Sequence, residues 1–474
     1  MKNALLLAVL LVPLAQAQTP DTSWSRFRGP NGSGVTYATG LPESLDPATN
    51  QLWRKPLPPG HSSPILFEGR IYLTALDGEQ LQTLCLSADT GDILWRRTAP
   101  RPNAKKVDGR NHPASPSPVV GREGVFVFFP EYGLLAYDHF SEELWRVPLG
   151  PFDNGYGMGA SPILLNGKVL LACDQNLGSY LAAFSAEDGE ELWRVARPEA
   201  SSGHCTPIVH MRQDGSAEVL MPGSFLLDSY DPDSGERNWF ASGLCFEMKS
   251  VPVLWNGQVF TNGYGSPMNQ PGNQVTVPDF ADMLAAEGDG GNGQVDKDEM
   301  PEGRAAAWFS FMDLDHSDGL NEQEWGYLQR ALASQNGLLS IRLGGSGDVT
   351  ESHVNWAYRR SIPQLPSPLI YGDVLYLLAD GGGLWTSLNP ATGEVIERTR
   401  IAGGEDNYYA SPVAADGKIY LASLHGLLTV LAAGEGSDPL SVVDLEEKIY
   451  ATPALAPGRV YVRTEKALYC FGSK

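Results

Sequence analysis

Short apolar runs alternate with polar turns along almost the whole chain. Eight of these runs open on a small residue followed by proline: Ser63-Pro64, Ser117-Pro118, Ser161-Pro162, Thr206-Pro207, Val251-Pro252, Ser367-Pro368, Ser411-Pro412 and Thr452-Pro453. Successive pairs lie 54, 44, 45, 45, 116, 44 and 41 residues apart, so a unit of about 45 residues recurs and the fifth gap holds a large insertion. Of the eight leading residues only Val251 is not polar. Each unit reads as four strands. A proline-led apolar strand turns at Glu68-Gly69, Asn166-Gly167, Asn256-Gly257 or Asp416-Gly417 into an alternating strand such as Arg70-Ile71-Tyr72. Asn-Gly and Asp-Gly between apolar runs favour tight hairpins, because both central residues accept positive φ. A third strand then leads through a turn such as Asp89-Thr90-Gly91 or Asp188-Gly189 to an outer strand, which in four units carries Trp95, Trp145, Trp193 or Trp239.

A period of 40–45 residues built from short strands predicts an all-β fold, an eight-bladed β-propeller. The repeated tryptophan is expected to pack one blade on the next. The last unit ends at Leu468-Tyr469-Cys470-Phe471 without a tryptophan strand, and the N-terminal region supplies an unattached one at Leu52-Trp53-Arg54-Lys55. Pairing the two closes the ring and removes two sheet edges. The chain then divides into residues 1–17 as a leader, 18–50 as an N-terminal extension, 51–265 as the closing strand and blades 1 to 5 in part, 266–336 as an insertion in blade 5, and 337–474 as the remaining blades.

The leader expectation rests on Lys2, an apolar run from Ala4 to Ala15 and an Ala15-Gln16-Ala17 exit, the pattern of a cleavable export signal too short to span a membrane. It directs the chain to the periplasm, cell envelope or exterior, and no later run reaches transmembrane length. The formal net charge of −22 disfavours nucleic acid, which requires a basic footprint. The five cysteines, Cys85, Cys173, Cys205, Cys245 and Cys470, are odd in number and sit in strand patterns. They read as small buried hydrophobes, with Cys205–Cys245 the pair a bridge would use.

The acidic surplus concentrates in the insertion: residues 279–324 hold 13 acidic and two basic side chains. Here the pattern changes to helices over 280–286, 304–312 and 322–333. The second and third flank the loop Asp313 to Glu324. Oxygen donors fall at positions 1, 3, 5 and 9 (Asp313, Asp315, Ser317, Asn321), with the Gly319 carbonyl at 7 and Glu324 at 12. That is the donor spacing of an EF-hand Ca²⁺ loop. It departs at position 6, where Asp318 stands in place of glycine. Upstream, Gly288 to Glu299 is a degenerate partner loop, with Asp289, Asn292, Asp296 and Glu299 as weaker candidate ligands.

The repeat Asp-x-x-Thr/Ser-Gly-x-x-x-Trp, complete at Asp231 to Trp239, resembles the PQQ-like, quinoprotein-type eight-bladed propellers over nearly the whole chain. Trp24 with Phe27-Arg28-Gly29-Pro30-Asn31-Gly32, the Gly344 to Thr350 link, and Asn407-Tyr408-Tyr409-Ala410-Ser411-Pro412 are similar to exported members from planctomycete-type bacteria, which often carry an EF-hand insertion. In the alcohol-oxidising branch, the resemblance implies a quinone held between a tryptophan and a disulfide of adjacent cysteines, beside a Ca²⁺ site and an aspartate base. No two cysteines here are adjacent. PQQ is therefore not expected, and the chain is read as a calcium-dependent binding or scaffold protein of the cell envelope with a protein or glycan partner, in the manner of the non-enzymatic assembly lipoprotein relatives. A quinone-dependent oxidoreductase is the alternative. A monomeric ring is expected. Residues just ahead of the innermost strands crowd one mouth of the central channel: His61, His112, Tyr156, His204, Glu247, Lys249, Tyr409 and Tyr450 are the candidate ligand-binding set.

Overall fold

The computed structural model describes residues 23–287, 292–434 and 436–473. Eight antiparallel sheets follow one another around an axis. Their innermost strands are Ile65–Phe67, Val119–Gly121, Ile163–Leu165, Ile208–Met211, Val253–Trp255, Leu369–Tyr371, Val413–Ala415 and Ala454–Ala456, each starting just after a small-residue–proline pair. The first hairpin of a blade forms for the reason its sequence suggests. Glu68, Asn166, Asn256 and Asp416 adopt φ between 44° and 54°, followed by Gly69, Gly167, Gly257 and Gly417 at φ 72–74°. Two consecutive positive φ values match the right-handed twist of the flanking strands. Middle strands such as Gly124–Phe129 are buried at every position, because each blade is covered by a neighbour on both faces.

The ring closes as expected. Gln51–Pro56 pairs antiparallel with Ala467–Gly472 and places Trp53 opposite Cys470. The Trp53 ring then lies where a side chain on Gly91 of blade 1 would be, 2.7 Å from its Cβ position. Trp145 and Gly189, Trp193 and Gly235, and Trp356 and Gly393 repeat the arrangement. The outer-strand tryptophan of one blade thus docks on the turn glycine of the next. All five cysteines are buried and unbridged; the Cys205–Cys245 pairing does not form, and Cys205 Sγ donates instead to the Ser250 carbonyl at 3.2 Å.

Around the axis, the small residues before proline build a belt. The backbone N–H of Ser63 donates to Ser117 Oγ, Ser117 to Ser161, Ser161 to Thr206, Val251 to Ser367, Ser367 to Ser411, Ser411 to Thr452, and Thr452 back to Ser63, all at 2.9–3.1 Å. The circuit is interrupted between blades 4 and 5, where Val251 has no hydroxyl to offer. Proline follows at every position, so the belt residue's own N–H is the donor available there, and a buried donor requires an acceptor.

The N-terminal segment crosses the channel on the far side of this belt. The Trp24 carbonyl accepts from Leu66 N–H and the Ser25 carbonyl from Val120 N–H, both at 2.8 Å. Arg26 donates to the Pro207 carbonyl at 2.5 Å and Arg28 to the Pro368 carbonyl at 2.8 Å. The Asn31 amide pairs with both backbone groups of Val209 at 2.7 and 2.9 Å. Gly34 and Thr39 carbonyls accept from Ala414 and Gly458. The segment from Trp24 to Thr39 thereby touches blades 1, 2, 4, 6, 7 and 8. The expected N-terminal extension is a plug.

The insertion lies between strands Gln258–Gly263 and Gly337–Arg342 of blade 5. Its helices are α1 (Phe280–Glu287), α2 (Arg304–Met312) and α3 (Glu322–Ala333), joined by a two-stranded bridge of Val295–Asp296 with Gly319–Leu320. Its core of Met283, Phe309, Met312, Trp325 and Leu328 also takes in Phe225 and Phe246 from blade 4 and the segment that follows it. The insertion is therefore not a separate body: it shares its core with the ring. Past the insertion, Gly347–Asp348 adds a fifth, parallel strand beside Trp239–Phe240, and Thr350 Oγ1 accepts from Ser242 N–H at 2.9 Å.

Replacing Ser411 by alanine leaves the buried Ser367 N–H without its acceptor. Urea denaturation is expected to show a loss of about 1–3 kcal/mol relative to the unsubstituted protein.

Candidate functional site

With one end plugged, the channel becomes a cavity of about 180 Å³ with a single mouth. Phe27, carried on the plug, is at its floor, and Ser63, Ser117, Ser161, Ser367, Ser411 and Thr452 of the belt form its waist. Six of the eight expected residues line it: His61, Tyr156, His204, Lys249, Tyr409 and Tyr450. The other two stand behind the wall, which corrects their placement. His112 packs its ring 5.0 Å from that of His61 and accepts from Ala114 N–H through Nδ1. Glu247 is buried and accepts from Lys249 Nζ at 2.8 Å.

The cavity has an aromatic side and a charged side. On the first, the His61 ring stacks on Tyr450 at 3.7 Å and 11°, and Tyr409 lies 5.9 Å from Tyr450. On the second, the Tyr156 ring meets His204 edge-on at 6.2 Å, with Lys249 Nζ 5.8 Å and the Arg110 guanidinium 5.1 Å from its centre. Arg110 holds Asp108 bidentately at 2.7 and 3.1 Å. Asp108, Arg110 and Asn111 also line the cavity and were not in the expected set. Their loop accounts for the one long regular spacing in the chain, 54 residues between Ser63 and Ser117 where its neighbours have 44 or 45. That excess was the available signal.

All three histidines are held neutral. Burial is the main cause in each, and nearby cations add to it: Lys249 and Arg110 for His204, which is lowered to about 3, and Arg463 for His112, lowered to about 4. His61 is lowered well below the usual range by burial, then by His112 and Arg463. Arg463 donates to the Ser62 carbonyl and hydroxyl at 3.1 and 2.6 Å.

The loop Asp313 to Glu324 lies between α2 and α3. Asp313, Asp315 and Glu324 each offer a carboxylate oxygen, all within 4.8 Å of one another. Asp318, at the position where glycine was missing, adopts φ 63° and so makes the left-handed turn itself, a conformation aspartate tolerates better than most residues. The Ser317 hydroxyl donates to the Gly319 carbonyl at 3.1 Å. Asn321 caps α3 through its side-chain oxygen, and Glu324 completes a capping box by accepting from Asn321 N–H at 3.0 Å. In the upstream loop Asp289 lies outside the described residues. Asn292 donates to both oxygens of Asp296 at 3.1 and 3.2 Å, and Glu299 accepts from Asp296 N–H at 2.8 Å. No helix leaves that loop before α2 begins at Arg304, so a turn and not a helix cap occupies Glu299.

Fold and site together define an eight-bladed, plugged propeller with a polar–aromatic axial cavity. The family model described as outer membrane protein assembly factor BamB matches residues 40–150 and 346–473, half of the chain, and the chain belongs to that family of PQQ-like propellers. No curated protein matches the sequence. Among solved structures it is similar to BamB from Moraxella catarrhalis, with 12% identity over 89% of this chain and 99% of that one and a TM-score of 0.55. A europium-containing methanol dehydrogenase gives 10% identity, 95% and 98% coverage and a TM-score of 0.57. The quinohemoprotein alcohol dehydrogenase from Comamonas testosteroni gives 12%, 96% and 81%, and 0.55. At these identities the likeness is one of fold, and the fold serves an assembly factor and dehydrogenases alike. The residues here do not fit the quinone seat that the resemblance implied: the cavity is lined by neither tryptophan nor cysteine. Among the described residues no helix is long and apolar enough to cross a membrane.

A histidine kept neutral in the fold takes up a proton on unfolding below pH about 6.5, so stability rises with pH between the lowered value and that point. For His112 the window runs from about 4 to about 6.5. Denaturation curves at pH 7 and pH 4 are expected to show a drop that shrinks in His112→Gln by on the order of 3 kcal/mol.

Proposed function

We propose that this chain is an exported, calcium-dependent binding protein of the cell envelope whose ligand enters the axial cavity. The observation that carries the proposal is that the insertion packs against the charged wall of that cavity. Phe246 packs against Phe311 and Tyr327 of the insertion at 5.7 and 5.8 Å. Glu247 follows directly, then Met248, whose carbonyl accepts from His204 N–H at 2.8 Å, then Lys249. Two cavity residues, His204 and Lys249, therefore sit on or against a segment that the insertion packs. His316, in the candidate metal loop, also comes within 3.7 Å of Asp153, one residue before the turn that carries Tyr156, with both side chains exposed. A cation bound by Asp313, Asp315, Ser317, the Gly319 carbonyl, Asn321 and Glu324 would fix the loop between α2 and α3 and, through these contacts, the wall. Export is supported by the leader pattern, which lies outside the described residues, and by a family whose described namesake acts in outer membrane assembly.

Calorimetry with Ca²⁺ tests the metal half of this reading. One strong site is expected in the unsubstituted protein, and Glu324→Gln is expected to weaken it by about a hundredfold, the order of losing a charged bidentate ligand. Unchanged uptake in the variant would remove the loop from the mechanism.

A further inference from the structure

The axis of this acidic protein is basic. Arg26 and Arg28 on the plug and Arg463 behind His61 are buried, and none has a carboxylate partner; they donate to the carbonyls of Pro207, Ser33 and Pro368 and to the carbonyl and hydroxyl of Ser62. Arg26 Nε, Arg28 Nε and Nη1, and Arg463 Nε and Nη2 are buried with no hydrogen-bond partner among protein groups. Lys249 and Arg110 add two more cations in the cavity wall. Against these five stand Asp108, Glu247, and Asp380, which accepts from the N–H of the cavity residue Leu365 at 2.8 Å. Burial lowers the three arginines to about 9, so they remain charged at neutral pH. Buried charges of this kind act over longer distances than those at the surface.

The walls add shape to this sign. Tyr450, backed by His61, and Tyr409 offer flat apolar faces, whereas the belt hydroxyls, Asn111 and Ser115 offer small donors and acceptors at several heights. A cavity of about 180 Å³ accommodates one substituted six-membered ring.

Resting on the reading of this cavity as a ligand site, we infer that it takes a single polyhydroxylated ring bearing one carboxylate, a sugar acid of the hexuronate class, with the ring against Tyr450 and Tyr409 and the carboxylate toward Lys249 and Arg110. The cations select the acid, the belt and Asn111 select a ring with hydroxyls, and the aromatic side holds its flat face.

Calorimetry on the full, Ca²⁺-supplemented chain with four probes decides between the possibilities: glucuronate, methyl β-glucopyranoside, 4-hydroxybenzoate and PQQ. Glucuronate is expected to bind at least about tenfold more tightly than the neutral glucoside, to weaken as salt is raised, and to lose about tenfold in Lys249→Gln or Tyr450→Ala. Because Lys249→Gln strands the buried Glu247, the exposed rim substitution Arg110→Gln, expected to lose about threefold, is measured beside it with circular dichroism as a check of folding. Equal or tighter binding of the glucoside overturns the acid, and tighter binding of 4-hydroxybenzoate overturns the sugar. Tighter binding of PQQ overturns the single ring. In each of these cases loss in Tyr450→Ala leaves the cavity reading standing. Absence of binding by all four probes overturns both.

Discussion

Closing eight sheets into a ring brings eight buried backbone donors to one narrow circle about the axis. A strand edge in the middle of a blade finds its partner in the next strand, but the residue just ahead of each innermost strand has proline behind it and another blade beside it. At seven of the eight positions the acceptor comes from a neighbouring blade's side chain, and a hydroxyl on a short stem has the reach. The resulting belt registers each blade against the next at the point where the ring is tightest. Serine and threonine also keep the channel narrow and polar, so the constraint that seals the ring also sets the chemistry of the cavity waist. At the one interruption, Val251, the plug supplies contact instead: Gly32 sits against the Val251 side chain and Asn31 against Val209 of the adjacent blade.

The plug converts an open-ended channel into a vessel with one entrance. Gly29 permits this, since its φ of 67° turns the chain and its missing side chain leaves room for the Trp24 ring, 2.5 Å from where a Cβ would be. Arg26 and Arg28 point to different sides of the ring from either side of Phe27, which holds that residue on the axis as a floor. Burying two guanidinium groups without carboxylates is costly, and the same two groups bias the cavity toward anions. The insertion acts at the other end. By sharing its core with Phe225 and Phe246, it joins an acidic, candidate cation-binding loop to the wall that bears His204 and Lys249.

How far the chain could be read in one dimension differs from feature to feature. Trp53 could be assigned to the last blade because an unpaired strand at each end of a repeat leaves two complementary edges. The Asn-Gly and Asp-Gly hairpins were legible because the two residues that turn the chain also name the turn. His112 and Glu247 were legible as residues near the mouth but not as residues behind it, since one position along a loop separates a side chain that faces the axis from one that faces a neighbouring blade. Asp108 and Arg110 left only a length signal. The motif around Arg26 and Arg28 stood out as a pattern without revealing a location, because its partners, Pro207 and Pro368, are 181 and 340 residues away.

The sequence by itself determined the repeat, the order of strands within each blade, the number of blades, the closing strand and the helical character of the insertion. All of these depend on backbone preferences and on alternation between near neighbours, which are written locally. Only the tertiary structure decided that the N-terminal segment plugs the channel, that the insertion shares a core with the ring, and that cations without carboxylate partners gather on the axis of a chain whose net charge is −22. Those outcomes depend on which loops of eight separate blades face a common centre, and that follows from the radius and packing of the closed ring and not from any stretch of residues within it.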